Sequence, residues 1–490
     1  GLHLGTPDVT VGDQPLPGGV RYLLTTWVAI GHQRHDTLEL SLSEVRRGLS
    51  GIVSDWRSLG GSPGPITVVV AGDADAVAGD IGIDGFAVNA LRPPSEDVAA
   101  IVAATPGALG LVPIDELTPG TLPLVIEGHD PLRDPSQASP LARVRWIAAS
   151  DPATSAMVAQ ALGWSDAVMV DPLGLVATGD FIPTRCVGRA VERLGGGDFD
   201  AIFTLAGDHL RAADLVVVPM EVAAPGVLPP TPCGDVQGQF ILTASPAAID
   251  ALAAAGVDIV TTAGNHAGDC HGGCPWPNAV LETIDRLERA GIAPIGTGPD
   301  LASATTPLIV ERSGVTLAFL SYDTIAGYYF ATEDRAGTAP ATPEGVAADV
   351  RAATQLADHV ILALSWGEEY VSTTTGLQRA IVDAAIEAGA SLIIGNHPHW
   401  LQPLVQVADG LVAYALGNFV FDQSWSIGTT QSVLLEVGFS KDRILGYRVR
   451  PVVIRRDYQP ELVDPRGAEG QQILARLWRA TDDFLARETP

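Results

Sequence analysis

The chain is poor in positive charge. Its 490 residues hold 29 lysines and arginines against 57 aspartates and glutamates, a formal net charge of −28 at pH 7. Such a surface repels phosphate backbones, which argues against nucleic acid as a partner and disfavours unaided binding of any polyanion. The single lysine, Lys441, stands among many arginines and alanines and carries no mechanism. No run of about twenty apolar residues exists, so no segment is suited to span a bilayer as a helix. Gly1 to Gly19 is polar and rich in proline and glycine, unlike a secretion signal; a trimmed exported protein and a cytoplasmic one look the same at this end. No Walker or dinucleotide-binding glycine pattern follows a strand, and no internal repeat is found. With 47% apolar and 18% charged residues the composition is that of a globular protein with no long disordered tail. Its length suffices for two or three domains, each with a core of its own.

Cysteine is scarce as well. The four cysteines, Cys186, Cys233, Cys270 and Cys274, all fall in one region. Cys270-His271-Gly272-Gly273-Cys274 reads as half a zinc site or as part of a disulfide pair, and four cysteines allow three pairings. No second closely spaced Cys/His pair completes a tetrahedral set, so disulfides are favoured over free thiols and over a structural metal.

Residues 1–165 read as a small α/β lobe with a linker. It has strand candidates at Tyr22 to Ala29, Ile66 to Val70 and Leu109 to Val112, and a helix from Ser41 to Leu49 opened by a serine cap with Glu44 behind it. Residues 166–455 alternate apolar strands with Ala-rich helices, the pattern of stacked α/β layers with a substantially parallel centre. Antiparallel pieces are expected at Leu411 to Leu416 and Ser432 to Phe439. Residues 456–490 read as a helical tail packed on this second domain.

In open α/β sheets, sites collect at the carboxyl ends of strands. Several polar clusters close apolar runs in that way: Gly179-Asp180, Met220-Glu221, Gly264-Asn265-His266 with Asp269, Ser365-Trp366-Gly367-Glu368-Glu369 and Gly395-Asn396-His397-Pro398-His399. Asn-His after a strand is, taken alone, at least as often an ordinary turn. Together, Asp180, Glu221, Asn265, His266, His397 and His399 form an oxygen and nitrogen donor set without cysteine, which suits one or two divalent ions such as manganese, iron or zinc. Two ions bridged by one carboxylate clamp a phosphoryl or acyl oxygen, and Glu221 is the natural bridge.

These residues carry a resemblance. Thr178-Gly179-Asp180, Ala213-Asp214-Leu215 leading to Glu221, Asn265-His266 with Asp269, Trp366-Gly367-Glu368-Glu369-Tyr370, His397-Pro398-His399 with Gln402-Pro403, and Tyr414 to Asp422 make residues 175 to about 455 similar to the capsule-synthesis A, or poly-γ-glutamate synthesis, family, a branch of the calcineurin-like metallophosphoesterases. The run Leu42 to Gly61, with Pro106 to Pro113 and Glu127 to Leu132, resembles one lobe of phosphate-type periplasmic solute-binding proteins, a lobe read here as a docking or spacer module. The resemblance implies a metallophosphoesterase sandwich of mixed sheets flanked by helices, with a smaller solute-binding-protein-like lobe before it.

It further implies Asp180 and His399 on one metal, Asn265 and His397 on the other, Glu221 between them, and His266 as proton donor oriented by Asp269. Two departures stand out. Ile182 occupies the place where calcineurin-like enzymes generally carry histidine, and Ser365 the place where the capsule branch usually does. Glu368 or Glu369 can compensate for Ser365, Arg185 and Arg189 are candidates to hold a polyanion although they read as solvated helix-surface arginines, and Asn418 is a candidate second-layer or substrate contact. The implied function is production, export or anchoring of an anionic surface polymer, in concert with its synthesis machinery, through hydrolysis of phosphoester or γ-glutamyl amide bonds. A non-catalytic scaffold with a degenerate metal site is the alternative. The implied location is extracellular or cell-surface, with any anchor lying outside this chain.

Overall fold

A computed structural model of the protein describes residues 2–3, 9–164, 169–226, 233–234, 240–270 and 275–488. Two units are distinguished: Gly1–Pro172 with Gly438–Ser440 and Ile444–Arg448, and Leu173–Val437 with Lys441–Arg443 and Val449–Pro490.

The first unit is built on one long strand, Val20–His32. Its first half pairs antiparallel with Ala142–Ala148 and its second half with Ala108–Pro113 and Thr121–Pro123, while Ala108–Pro113 runs parallel to Thr67–Val69. The Leu42–Leu49 helix starts where the sequence places its cap: the Glu44 N–H donates to the Ser41 hydroxyl at 3.2 Å and the Ser41 N–H to the Glu44 carboxylate at 2.8 Å. Two orphan donors are thereby satisfied reciprocally. Arg448 is fully buried in this unit. Its guanidinium makes a two-pronged pair with Asp130 at 2.9 and 3.2 Å and donates to the Pro123 carbonyl at 2.9 Å.

The second unit holds two mixed sheets. In the first, β1 (Leu173–Ala177), β2 (Leu215–Pro219), β3 (Ile259–Thr261) and β4 (Ala293–Ile295) are mutually parallel, and the strands Gln431–Phe439 and Ile444–Ile454, of which residues 431–437 and 449–454 belong to this unit, continue the sheet beyond β1. In the second, β5 (Val315–Asp323), β6 (His359–Ser365), β7 (Ala390–Asn396) and β8 (Gly410–Ala413) form a parallel centre. Antiparallel strands Leu308–Arg312 and Leu404–Val407 close its two edges. β2 and β6 are buried along their whole length, as expected of strands covered on both faces. Helices Ala247–Ala254, Trp276–Arg289, Pro343–Ala353 and Gly376–Ala388 fall between the strands. The architecture is the expected α/β arrangement of mixed sheets flanked by helices with a smaller α/β unit.

One strand differs in direction. The Leu411 segment, expected to be an antiparallel piece, runs parallel to β7 and is antiparallel only to Leu404–Val407. The chain leaves β7, forms that edge strand, reverses through Ala408 in the left-handed region (φ 49°) and so returns in the direction of β7. The final helix, α1 (Ala468–Glu488), buries Ile473, Leu474, Leu477, Ala480 and Thr481, one stripe of its surface. The Thr481 hydroxyl accepts from the Leu404 N–H at 3.1 Å, which seats α1 on the edge strand.

Candidate metal centre

The apolar strands of the second unit end in tight passages that only glycine permits. A Cβ at Gly179 would stand 2.0 Å from the Gly417 carbonyl oxygen, so the chain comes close enough to set Asp180 in register with Asn418. A Cβ at Gly395 would stand 1.9 Å from the Tyr414 carbonyl oxygen and 2.3 Å from Trp366 Nε1. Just beyond, His397 (φ 89°) and His399 (φ 58°) occupy the left-handed region, which costs a residue with a Cβ on the order of 1–3 kcal/mol. Both imidazoles are thereby turned onto buried carboxylates.

His397 Nδ1 lies 2.7 Å from Glu221 Oε1, and the His397 backbone N–H donates to Asp180 Oδ1 at 3.3 Å. His399 Nδ1 is 3.0 Å from Asp180 Oδ2 and 2.9 Å from Asn418 Oδ1. Two oxygen acceptors there assign its hydrogen to Nδ1, which leaves the Nε2 lone pair, 4.0 Å from Glu221 Oε2, as a donor to a cation. Burial and, next, the Asp180 charge push the Glu221 carboxyl up to about 8. Burial holds His397 below the usual imidazole value. For His399 burial acts in the same sense, but the Asp180 hydrogen bond and the Glu221 and Asp180 charges outweigh it and raise the group.

The buried polar atoms Glu221 Oε2, Asn265 Oδ1 and Ser365 Oγ have no hydrogen-bond partner among the described residues. They belong together, because a Cβ at Gly264, the residue before Asn265, would lie 3.4 Å from Glu221 Cγ and 3.8 Å from Ser365 Oγ. An unpaired buried oxygen costs about 1–3 kcal/mol, more if charged, and a hard cation removes that cost. Donor atoms of Glu221, His397 and His399 all lie within 4.8 Å of one another, a group able to hold a metal ion. The donor set and the orphaned oxygens therefore fit a divalent ion.

A second cluster adjoins it in sequence. His266 Nδ1 is 2.6 Å from Asp269 Oδ2, and the same oxygen accepts from the Leu242 N–H at 2.5 Å. The other carboxylate oxygen accepts from the Tyr329 hydroxyl at 2.8 Å. His266 is half-buried, so its ring is fixed on one side and reachable on the other. The sequence reading missed Tyr329, which lies 60 residues from Asp269 with no motif to mark it. It missed Asp323 too, which ends β5 in register with Ser365 and, with its carboxyl raised by burial, caps the Ile325 and Ala326 N–H groups. Tyr370, named in the sequence only as the end of the Trp366–Tyr370 motif and given no role there, stacks its ring on His399 at 5.8 Å between centroids.

Of the remaining candidates, Glu368 and Glu369 are exposed, and the charge of Glu369 reaches Glu221 and His397. Arg185 is no solvated helix-surface arginine: it precedes helix Cys186–Gly195 at φ 53°, pairs with Asp422 and lies over the Phe421 ring. Arg189 is exposed and donates to the Cys233 carbonyl at 3.3 Å. Asn418 touches His399 and donates to the Thr429 carbonyl. Cys186 is disulfide-bonded to Cys233 and Cys270 is also in a disulfide, whereas Cys274 lies outside the described residues.

Residues 174–423, just over half of the chain, match the family described as "Bacterial capsule synthesis protein PGA_cap". The chain is 28% identical over 324 residues to "PGA biosynthesis protein CapA" of Bacillus subtilis (strain 168), covering 64% of this chain and 82% of that protein. It is 28% identical over 272 residues to "Capsule biosynthesis protein CapA" of Bacillus anthracis, covering 54% of this chain and 64%, just under two thirds, of that protein. Among solved structures, a putative 5'-nucleotidase from Staphylococcus aureus is similar at 11% identity and a TM-score of 0.36, over 63% of this chain and 58% of that one. An ABC-type phosphate transport receptor from Vibrio cholerae is similar at 16% identity and a TM-score of 0.26, over 32% and 74%. The chain belongs to the bacterial capsule synthesis protein PGA_cap family.

Proposed function

We propose that the protein acts in making, exporting or anchoring an acidic surface polymer, a capsule or poly-γ-glutamate, as a metal-dependent hydrolase of phosphoester or γ-glutamyl amide bonds. The observation that carries this reading is the buried Glu221, His397 and His399 group with Glu221 Oε2 left unpaired beside it. Family membership and the names of the two Bacillus relatives supply the polymer class. The disulfides favour an oxidising, extracellular or cell-surface location.

Glu221, His397 and His399 would hold the ion, with Asp180 and Asn265 completing the set. A manganese, iron or zinc ion bound there would polarise a phosphoryl or acyl oxygen and acidify a water. The chain's own part is proton handling and placement. Asp269 accepts from His266 Nδ1–H and orients the ring, so that the doubly protonated imidazole would give its Nε2 proton to the leaving atom and be left neutral with its hydrogen on Nδ1. Tyr329 keeps the Asp269 carboxylate from turning away. Asn418 and Asp180 hold the His399 ring in one orientation.

The test is metal content per chain by mass spectrometry on protein purified without chelator, together with turnover of a chromogenic phosphodiester and of γ-glutamyl oligomers. His266→Ala should retain metal and lose about a hundredfold or more in turnover, whereas His399→Ala should lose metal. Metal-free protein after manganese or zinc is supplied would sink the reading. A non-catalytic scaffold is the second reading, and the observation favouring it is the hydroxyl of Ser365 where the branch usually carries an imidazole.

A further inference from the structure

Charge is distributed unevenly over the second unit. Two adjoining clefts, of about 380 and about 330 Å³, lie between α1, the Ser372–Thr374 loop and the segment after His399. Ser372, Ala480 and Asp483 line both. Four arginines also line them, Arg476 and Arg479 in the first and Arg379 and Arg487 in the second, in a chain with 29 lysines and arginines among 490 residues. The acidic lining residues are Asp483 and Glu488, and Glu488 pairs with Arg379 at 3.5 Å.

Arg476, Arg479 and Arg487 have no carboxylate partner among the described residues, although carboxylates outnumber cations about two to one in the chain. Arg476 donates from Nε to Gln431 Oε1 at 3.3 Å, and burial and the Arg479 charge hold its guanidinium below the usual value. Three arginines without a carboxylate partner among the described residues, set around the single acid Asp483 in their stripe, leave positive charge over for an external anion. The positions 476, 479, 483 and 487 follow helical spacing and form one stripe of α1, which spans roughly 16 Å from Arg476 to Arg487. A single small anion cannot bridge that length, whereas a chain with a carboxylate on every residue can.

The stripe also leads to the metal centre. Tyr370, stacked on His399, opens the loop whose Ser372, Thr373 and Thr374 line the clefts. Gln402 donates to the carbonyls of Val371 and Thr373 at 3.2 and 3.0 Å and fixes that loop. Trp400 and Leu401, next after His399, line the first cleft.

We infer that the clefts along α1 form an extended binding subsite for a polycarboxylate chain, held by Arg476, Arg479 and Arg487 and leading along the 370–374 loop toward the metal centre. Guanidinium groups suit this task because each can take a carboxylate in a two-pronged pair. The inference rests on the acidic-polymer part of the function proposed above and is independent of hydrolysis.

The test is fluorescence anisotropy of a labelled γ-glutamate oligomer against the full chain as purified, with metal content measured on the same samples. Arg479→Gln/Arg487→Gln, both exposed positions, should weaken binding about tenfold and flatten its salt dependence. Arg351→Gln, exposed on the Pro343–Ala353 helix, should bind like the unaltered protein. Glutamate monomer or inorganic phosphate should fail to compete at the oligomer's half-saturating concentration. Unchanged affinity in the double variant would overturn the inference, as would monomer or phosphate competing as well as the oligomer. No binding to the unaltered chain would overturn it too, while metal retained in those samples would leave the metal centre standing.

Discussion

Replacing Glu221 by glutamine separates the cost of the buried carboxylate from its use. Glu221 Oε1 contacts His397, and Oε2 is buried without a hydrogen-bond partner among the described residues. In protein stripped of metal, the unfolded chain ionises this group near 4.5 and the folded chain near 8. Between those values only the unfolded state releases the proton, so stability falls as pH rises from about 4.5 to 8, by on the order of 5 kcal/mol. Glutamine keeps the shape and cannot ionise, so Glu221→Gln should lose most of that pH dependence. A divalent ion present at a hundredfold excess over its Kd should stabilise the unaltered protein by about 2.7 kcal/mol and leave the variant nearly unmoved. The assay is urea unfolding at pH 5 and pH 8, with chelator and with manganese or zinc. Equal metal stabilisation in both proteins, or an equal pH dependence without metal, would refute the reasoning.

Three further outcomes are expected. Tyr329→Phe removes one hydrogen bond to the Asp269 carboxylate, about 1.5 kcal/mol, and should lower turnover roughly tenfold with metal content unchanged; a loss of metal would show that Tyr329 acts on the centre itself. Arg448→Ala removes the two-pronged partner of the buried Asp130 carboxylate, leaving the Leu132 N–H at 3.1 Å and Arg133 at 3.9 Å, and should destabilise the first unit by about 3 kcal/mol in denaturant titration. Ser365→His places an imidazole beside Glu221 and Gly264 and should raise metal occupancy per chain by mass spectrometry; unchanged occupancy would count against Ser365 as part of the centre.

What the sequence makes legible is whatever is local or periodic. The Ser41 and Glu44 cap is four residues long, and both of its hydrogen bonds form. The wholly buried strands are continuous apolar runs, and the polar clusters named from their ends include Glu221, His397 and His399, which the fold gathers. What stays hidden depends on distant partners or on chain direction. Arg185 looks like a solvated arginine until Asp422, 237 residues away, is folded against it. Arg448 and Asp130 are 318 residues apart, and nothing near either announces the pair. The direction of β8 is invisible because a short, continuously buried apolar run such as Gly410–Ala413 reads the same both ways along a strand.

The residues gathered around the proposed metal site, from Glu221 to His397 and His399, with Asp180 and Asn418 against the His399 ring, are scattered one or two at each of several strand ends. A chain cut before residue 397 contains neither of the two gathered imidazoles, however well its earlier strands pair. On the function proposed above, metal affinity would therefore be a late product of biosynthesis, arising only once the second sheet is complete, and a chain truncated before that point should bind no ion. By the same dispersal, an ion bound there would be a gauge of integrity, since displacing any one strand end would part the residues proposed to hold it.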